Sequence, residues 1–417
     1  MHISERRTEV YSKSINNNLG RSFMFKFPLS VMLALVMCFS ANLSKAADEI
    51  VIGLSMVKTG FLKTPAEATE TAVDIAVSEI NASGGINGKK IRLVKYDTES
   101  KAKLAVVATQ KFARDDGALA IIGPFSSGEA KAAFPVGERL GIVQIPNASS
   151  GPGLTKGYTY AWRLTEMEGV QFARVLKTLK KKKIDISKAE IVYISDEYVS
   201  SLVGKFVYPA LFKAFKVKYG KAVTLQYKSF DVAPQVAKVI ERKPNVVALA
   251  ATPDLASKVM KELRRQGFKG RIIGSQLFSD PNALDKYGSE ANGLIFVAGF
   301  WWDNNAKTRA FSKKYAAENA KRGLTVKKIP HHSDAQGYDI VYLLKQAMEK
   351  ANVTGEKSKL KAERTAIRDA LKGIRFSGIT GDNVCFDKMN DAQLPGYIIE
   401  IKNLKWSKID EWPPEKC

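Results

Sequence analysis

The chain has 417 residues, of which 45% are hydrophobic and 26% charged, and carries a formal net charge of +23 at pH 7. That length exceeds what one compact core supports, so two domains are expected, and the ordinary apolar content excludes a disordered or fibrous chain. The basic balance raises nucleic acid or an anionic membrane as partners. The lysines, however, are scattered along amphipathic stretches with no aromatic RNA-binding motif, zinc-finger spacing or basic tail, so no nucleic-acid partner is expected.

The N-terminal segment reads as a targeting signal. Met24-Phe25-Lys26 opens a short basic region, Leu29–Phe39 is apolar, and Ser44-Lys45-Ala46 has the small-x-small pattern of a cleavage site. This predicts a cleaved secretory signal peptide over residues 1–46, too short to span a membrane. Residues 1–23 are polar, and Met24 fits as the true start. Cys38 does not make a lipoprotein site, because Met37 before it is too large. No other run is long enough to cross a bilayer, so an extracytoplasmic, periplasmic protein that does not span the membrane is expected. Two cysteines then remain, Cys385 and Cys417. In an oxidising compartment a lone pair is more readily a disulfide than a metal or catalytic site, and a Cys385–Cys417 bridge is the expectation.

Further along, Ile50–Ser55 predicts a buried strand and Lys58–Phe61 a loop. Thr64-Pro65 predicts a capped helix start. Ala72, Ile75, Ala76 and Ile80 fall on one face of that helix, which stops at Ser83-Gly84-Gly85. Lys89–Asp97 predicts a strand and Lys101–Arg114 a helix.

The next stretch, from Ala120 to Leu154, organises the rest. Two short apolar runs, Leu119–Ile122 and Ile142–Ile145, each break into a turn rich in Ser, Gly and Pro. Buried parallel strands have this form. Ser126-Ser127-Gly128 opens a helix after the first run; Ala148-Ser149-Ser150-Gly151 follows the second. Such turns offer free N–H groups, hydroxyls and a positive dipole end to an anion. Ordinary Ser caps explain either turn alone. Two of similar design on neighbouring strands, at the carboxyl edge of a sheet, point to a shared site.

After Tyr158–Leu164 the alternation restarts. Helices are predicted over Gly169–Lys182, Val199–Tyr219, Pro234–Glu241 and Asp254–Gln266. Strands are predicted over Ala189–Ser195, Val223–Ser229, Val246–Ala251, Arg271–Gly274 and Leu294–Gly299. Three helical stretches follow, Asn305–Arg322, Ser333–Lys350 and Leu360–Lys372, then strands around Asn383–Phe386 and Tyr397–Lys402. The pattern predicts an α/β fold with two doubly wound parallel sheets.

Several segments together carry a family resemblance: SEINASGGINGKKIRLVKYDTES, IIGPFSSGEAKAAFPV, IVQIPNASSGPGLT, RLTEMEGVQ, IVYISDEYVSSLVGKFV and ELRRQGFKGRIIGS, in this order. The chain resembles type I periplasmic solute-binding proteins, in the Leu/Ile/Val-binding branch that feeds ABC importers. The resemblance implies two Rossmann-like lobes joined by three hinge crossings, with the ligand in the cleft between them. It implies a first lobe of 47–165 with 298–378 and a second of 166–297 with 379–417. It implies that Ser127, Ala148, Ser149 and Ser150 hold a ligand carboxylate and its neighbouring group, that Tyr198 closes over the ligand, and that Thr252 is a further contact. The implied partners are a small carboxylate and the permease subunits of an importer, with the chain a monomer and no cofactor.

One position departs from that pattern. Gln276 stands where amino-acid binders carry an acidic partner for the ligand ammonium, and a neutral amide cannot form that charge-assisted pair. Glu168 or Asp280 is placed to compensate. An apolar carboxylate without the amino group therefore fits as well as a branched-chain amino acid. Phe61, Phe125, Tyr198, Phe278 and Trp301 are the candidate aromatic supply for its tail. His331-His332 reads as surface or cleft rim rather than a metal site. Catalysis is not expected, since no G-x-S-x-G elbow, Walker loop or H-E-x-x-H is present. A sensor that docks to a receptor uses the same closing cleft, and the sequence does not separate it from an importer component.

Overall fold

The structure, a computed structural model, describes residues 49–416. The expected signal peptide, the Met24 start and Cys417 lie outside the described residues. Among the described residues no helix is long and apolar enough to cross a membrane.

Short strands that are apolar on both faces must be covered on both faces, and the chain meets this with two sheets flanked by helices. The first sheet holds β1 (Ile50–Met56), β2 (Ile91–Asp97), β3 (Ala120–Ile122) and β4 (Val143–Ile145) in the order β2-β1-β3-β4. All its pairings are parallel, with Ile52 opposite both Leu93 and Ala120. Helices Thr69–Ala82, His332–Lys350 and Leu360–Leu371 bury Val73, Ala76, Ile340, Leu344 and Ile367 against it.

The second sheet holds β5 (Lys188–Ile194), β6 (Lys218–Tyr219), β7 (Val223–Leu225), β8 (Val246–Ala250), β9 (Arg271–Gly274) and β10 (Leu294–Ala298). A small hairpin, β11 (Cys385–Phe386) with β12 (Ala392–Gln393), precedes β13 (Gly396–Lys402) and β14 (Lys405–Trp412), which complete the second sheet. Its order is β14-β13-β10-β9-β8-β5-β6, with β7 also on β5. The strands β5 to β10 pair in parallel, whereas β13 runs antiparallel to both its neighbours.

Four expectations are corrected. Thr64 is not a cap: it lies inside a single turn, Lys63–Ala66, and the main helix begins at Thr69, whose hydroxyl donates to buried Asp334 Oδ1 at 3.0 Å. The helix expected over Val199–Tyr219 ends at Phe215, where Lys216 turns left-handed at φ 60°, and Lys218–Tyr219 pairs with β5 instead. Within it a π-helical turn spans Val203–Val207, just before Pro209, which has no N–H to continue the ladder. The eighth strand of the second sheet, β14, was not expected: a register shift opposite Ile398/Ile399 breaks its alternation, so Trp406 packs on one core and Ile409 and Trp412 on the other. Finally, Val384, Ala392 and Leu394 belong to the first core, while β13 belongs to the second sheet, so the last crossing falls near Pro395 rather than between 378 and 379. Cys385 is disulfide-bonded.

Candidate functional site

The two Ser-rich turns do lie side by side. Strands β3 and β4 are paired neighbours, so their carboxyl ends open at one edge. Gly123 makes the first turn possible: its φ is 104°, and a Cβ there would lie 2.3 Å from the Ser55 carbonyl oxygen. Ser126 then caps helix Ser127–Leu140 in a capping box with Glu129. Burial pushes the Glu129 carboxyl up, against hydrogen bonds from Ser126 and Thr98.

Side chains tie the turns together. Ser127 Oγ accepts from Gly151 N at 3.0 Å, and Ser149 Oγ donates to the Phe125 carbonyl at 3.1 Å. Arg163, fully buried, donates to the carbonyls of Gly151 at 2.6 Å and Ser149 at 3.3 Å, and is itself held by the carboxylate of Asp391. Arg163 positions the second turn from behind, and sequence reasoning missed it, since its partner is 228 residues away.

These turns form one wall of a cavity of about 790 Å³. Its lining comes from the carboxyl ends of strands in both sheets. Phe61 follows β1, Phe125 follows β3, and Ala148 and Ser150 follow β4; Tyr227 follows β7, Thr252 follows β8, and Gln276 follows β9. Residues 325–329, His331 and His332 close a further side. Of the residues singled out in the sequence, Ala148, Ser150, Thr252 and Gln276 line this cavity together. Ser127 and Ser149 stand behind it, buried, with their hydroxyls spent on the bonds between turns. Tyr198 lines a separate small surface pocket with Glu197 and Ser201, with Lys131 Nζ 5.1 Å from its ring centre. Of the aromatic candidates, Phe61 and Phe125 line the cavity, whereas Phe278 lies in the core beneath it and Trp301 packs against Trp302.

The polar equipment of the cavity is concentrated in a few groups. Both amide atoms of Gln276 and the Thr252 hydroxyl are buried without a hydrogen-bond partner. The N–H groups of Ala148 and Ser150 have no acceptor among the described residues. Glu168, the first residue of helix Glu168–Lys181, accepts from Ser150 Oγ at 2.8 Å. Burial pushes its carboxyl up to about 7, opposed by the hydrogen bond from Ser150. Asp280 and Lys327 form a buried ion pair at 3.1 Å on the lining.

His331 and His332 are not on the surface. Both are buried, both line the cavity, and their rings lie 3.9 Å apart. Burial drives the His331 imidazole down to about 3 and His332 well below its ordinary value, so both rings are neutral. Among the described residues no group of three or more His, Cys, Asp or Glu is placed to hold a metal.

At the mouth, Phe61 and Tyr227 meet edge to face with centroids 5.4 Å apart, and the Tyr227 hydroxyl donates to the Phe61 carbonyl at 3.3 Å. The two sheets therefore touch across the opening. Tyr227 lies in the turn after β7 and carried no motif, so the sequence did not signal it.

Residues 49–405 match the family model described as periplasmic binding protein. The Leu/Ile/Val-binding protein of Escherichia coli is 26% identical over 251 residues, which is 60% of this chain and 67% of that protein. The branched-chain amino acid transporter substrate-binding protein of Streptococcus pneumoniae, solved with isoleucine, superposes with a TM-score of 0.75 at 23% identity over 88% of this chain and 100% of its own. A solute-binding protein of an ABC transporter from R. palustris, solved with benzoate, gives 0.75 at 21% identity over 88% and 98%. With a fold of two parallel sheets, a cavity at their carboxyl edges and a family match over most of its length, the chain belongs to the type I periplasmic binding proteins, which are solute-binding proteins rather than enzymes.

Proposed function

We propose that this chain is the periplasmic solute-binding component of an ABC importer, acting as a monomer that delivers a small carboxylate with an apolar body to permease subunits. The observation that carries the reading is the cavity itself. Its walls include Phe61, Leu62, Phe125, Pro253 and Leu277, which suit an apolar body. Among its polar groups are several without a partner: the Ala148 and Ser150 N–H groups, the Thr252 hydroxyl and the Gln276 amide. Binding sites place a few convergent polar groups in an apolar cleft in this manner. Free N–H groups beyond a strand end suit a carboxylate, and a buried polar atom without a partner costs about 1–3 kcal/mol until something bonds to it.

The solved relatives with isoleucine and with benzoate support both halves of the class, amino acid and simple aromatic acid. Gln276 in place of an acid favours a solute whose charge is the carboxylate alone. In this reading Ser150, Ala148, Thr252 and Gln276 contact the solute, Ser127 and Ser149 hold the anion-binding turns in place, and Tyr198 belongs to the closing lobe. A thermal-shift screen of branched-chain amino acids, their oxo acids and benzoates tests it. A ligand at 100 times its Kd stabilises by about 2.7 kcal/mol. No shift with any carboxylate at millimolar concentration overturns the reading.

A further inference from the structure

The hydrogen-bond network behind the two histidines determines which nitrogen of each ring carries the proton. Ser279 Oγ lies 3.1 Å from His331 Nε2 and 2.9 Å from His332 Nδ1, and it donates its own hydrogen to the Gln276 carbonyl at 2.7 Å. A hydroxyl has one hydrogen and two lone pairs. With the hydrogen spent on the carbonyl, both imidazole nitrogens must donate to Ser279. His331 is therefore protonated at Nε2, and its Nδ1 accepts from Ser333 Oγ at 2.8 Å. His332 is protonated at Nδ1. Its Nε2 is left as a bare lone pair with no partner among the described residues, on a side chain that lines the cavity.

Gln276 repeats the theme. Its Oε1 is buried without a partner and lies 3.7 Å from where a Cβ on Gly299 would stand, as do the His332 Cβ and the unpartnered Nε2 of Gln336. The buried cation on the lining, Lys327, is already paired with Asp280. A free acceptor on the lining disfavours a solute that brings only acceptors to it, because its lone pair would then lose water without replacement.

We propose that the free His332 Nε2 accepts a hydrogen bond from the solute, so that the solute is a carboxylate that also bears an N–H or O–H donor. The proposal rests on the carboxylate reading above and narrows it. His332 is then a specificity-determining residue: it scores the donor, while the turns after β3 and β4 score the anion.

Calorimetry on matched compounds tests this: leucine, 2-hydroxy-4-methylpentanoate and 4-methyl-2-oxopentanoate as one set, and 3-hydroxybenzoate against benzoate as another. At least one donor-bearing member is expected to bind about tenfold tighter than its donor-free match. The amino and hydroxy arms show which donor is used. In His332→Phe, which keeps a ring against His331 but has no acceptor, that advantage should vanish while the donor-free compound changes less than about threefold. Nitrogen NMR on the wild-type chain supplies a second readout that needs no variant: His332 should be the Nδ1–H tautomer with Nε2 unprotonated. Equal binding within both sets, or an Nε2–H tautomer, overturns the proposal and leaves the carboxylate reading standing. Failure of every compound to bind overturns both.

Discussion

Ser150 and Glu168 are bonded twice, once through side chains and once through the backbone. Ser150 Oγ donates to Glu168 Oε1 at 2.8 Å, and Glu168 N donates to the Ser150 carbonyl at 3.1 Å. The pair joins the turn after β4 to the start of the helix that leads into the second sheet. A cavity-lining serine is thus fixed to a carboxyl that burial holds neutral up to about pH 7.

That carboxyl makes stability depend on pH. Its value is raised from an ordinary 4.5 to about 7, so the folded state binds the proton more tightly than the unfolded chain. The sign follows: the contribution is present in full below the unfolded value and is lost as pH rises through the folded one. Between about pH 4.5 and 7 the slope from this group approaches about 1.4 kcal/mol per pH unit. Glu168→Gln keeps the carbonyl that Ser150 bonds and cannot ionise. Urea midpoints at pH 5 and pH 8 should differ less in Glu168→Gln than in the wild type; equal differences would show that Glu168 does not titrate there.

The two serines in the turns should separate by what they change. Ser127→Ala leaves the buried Gly151 N–H without its acceptor, and a loss of about 1–3 kcal/mol in stability is expected. Ser150→Ala keeps the free N–H at the cavity but removes the bond that fixes this residue to Glu168, with a smaller loss, on the order of 0.5–1.5 kcal/mol, in carboxylate affinity. Urea denaturation reads the first and calorimetry the second. A Ser127→Ala chain as stable as the wild type would mean that this hydroxyl does not hold the turns together.

Lys327 and Asp280 are 5% and 4% exposed, and breaking such a pair strands a buried charge. Lys327→Met alone should cost about 3–5 kcal/mol, and adding Asp280→Asn should recover most of it. Thermal melting of the single and double variants decides. A double variant no more stable than Lys327→Met would remove the pair as the cause.

Phe61 and Tyr227 join the two sheets across the cavity mouth, and they should set how long a solute stays. Tyr227→Ala is expected to raise the dissociation rate of a bound carboxylate more than it lowers the association rate. Small-angle scattering should show a smaller radius of gyration with saturating solute than without, as hinge closure requires. An unchanged radius together with an unchanged dissociation rate would mean that the mouth does not close over the solute.

The sequence by itself determined the alternation of elements, because short apolar runs bounded by Gly, Pro and Ser can only be buried parallel strands with helices between them. It also marked the two turns at Gly123–Gly128 and Pro146–Gly151, since their residue types are those that free N–H groups at a strand end require, and it picked out Gln276 and Thr252. Tertiary structure decided the rest. Ser127 and Ser149 look like ligand contacts in one dimension, but neighbouring strands bring the turns close enough for their hydroxyls to bond each other's backbone. Arg163 has its carboxylate partner 228 residues away, and Phe61 meets Tyr227 at a separation of 166, so no local pattern carries either contact. His331-His332 was ambiguous in sequence because two adjacent imidazoles suit a surface as well as a core. Burial decided it by making the charged forms too costly, and Ser279, with a single hydrogen already committed, decided which nitrogen of each ring donates.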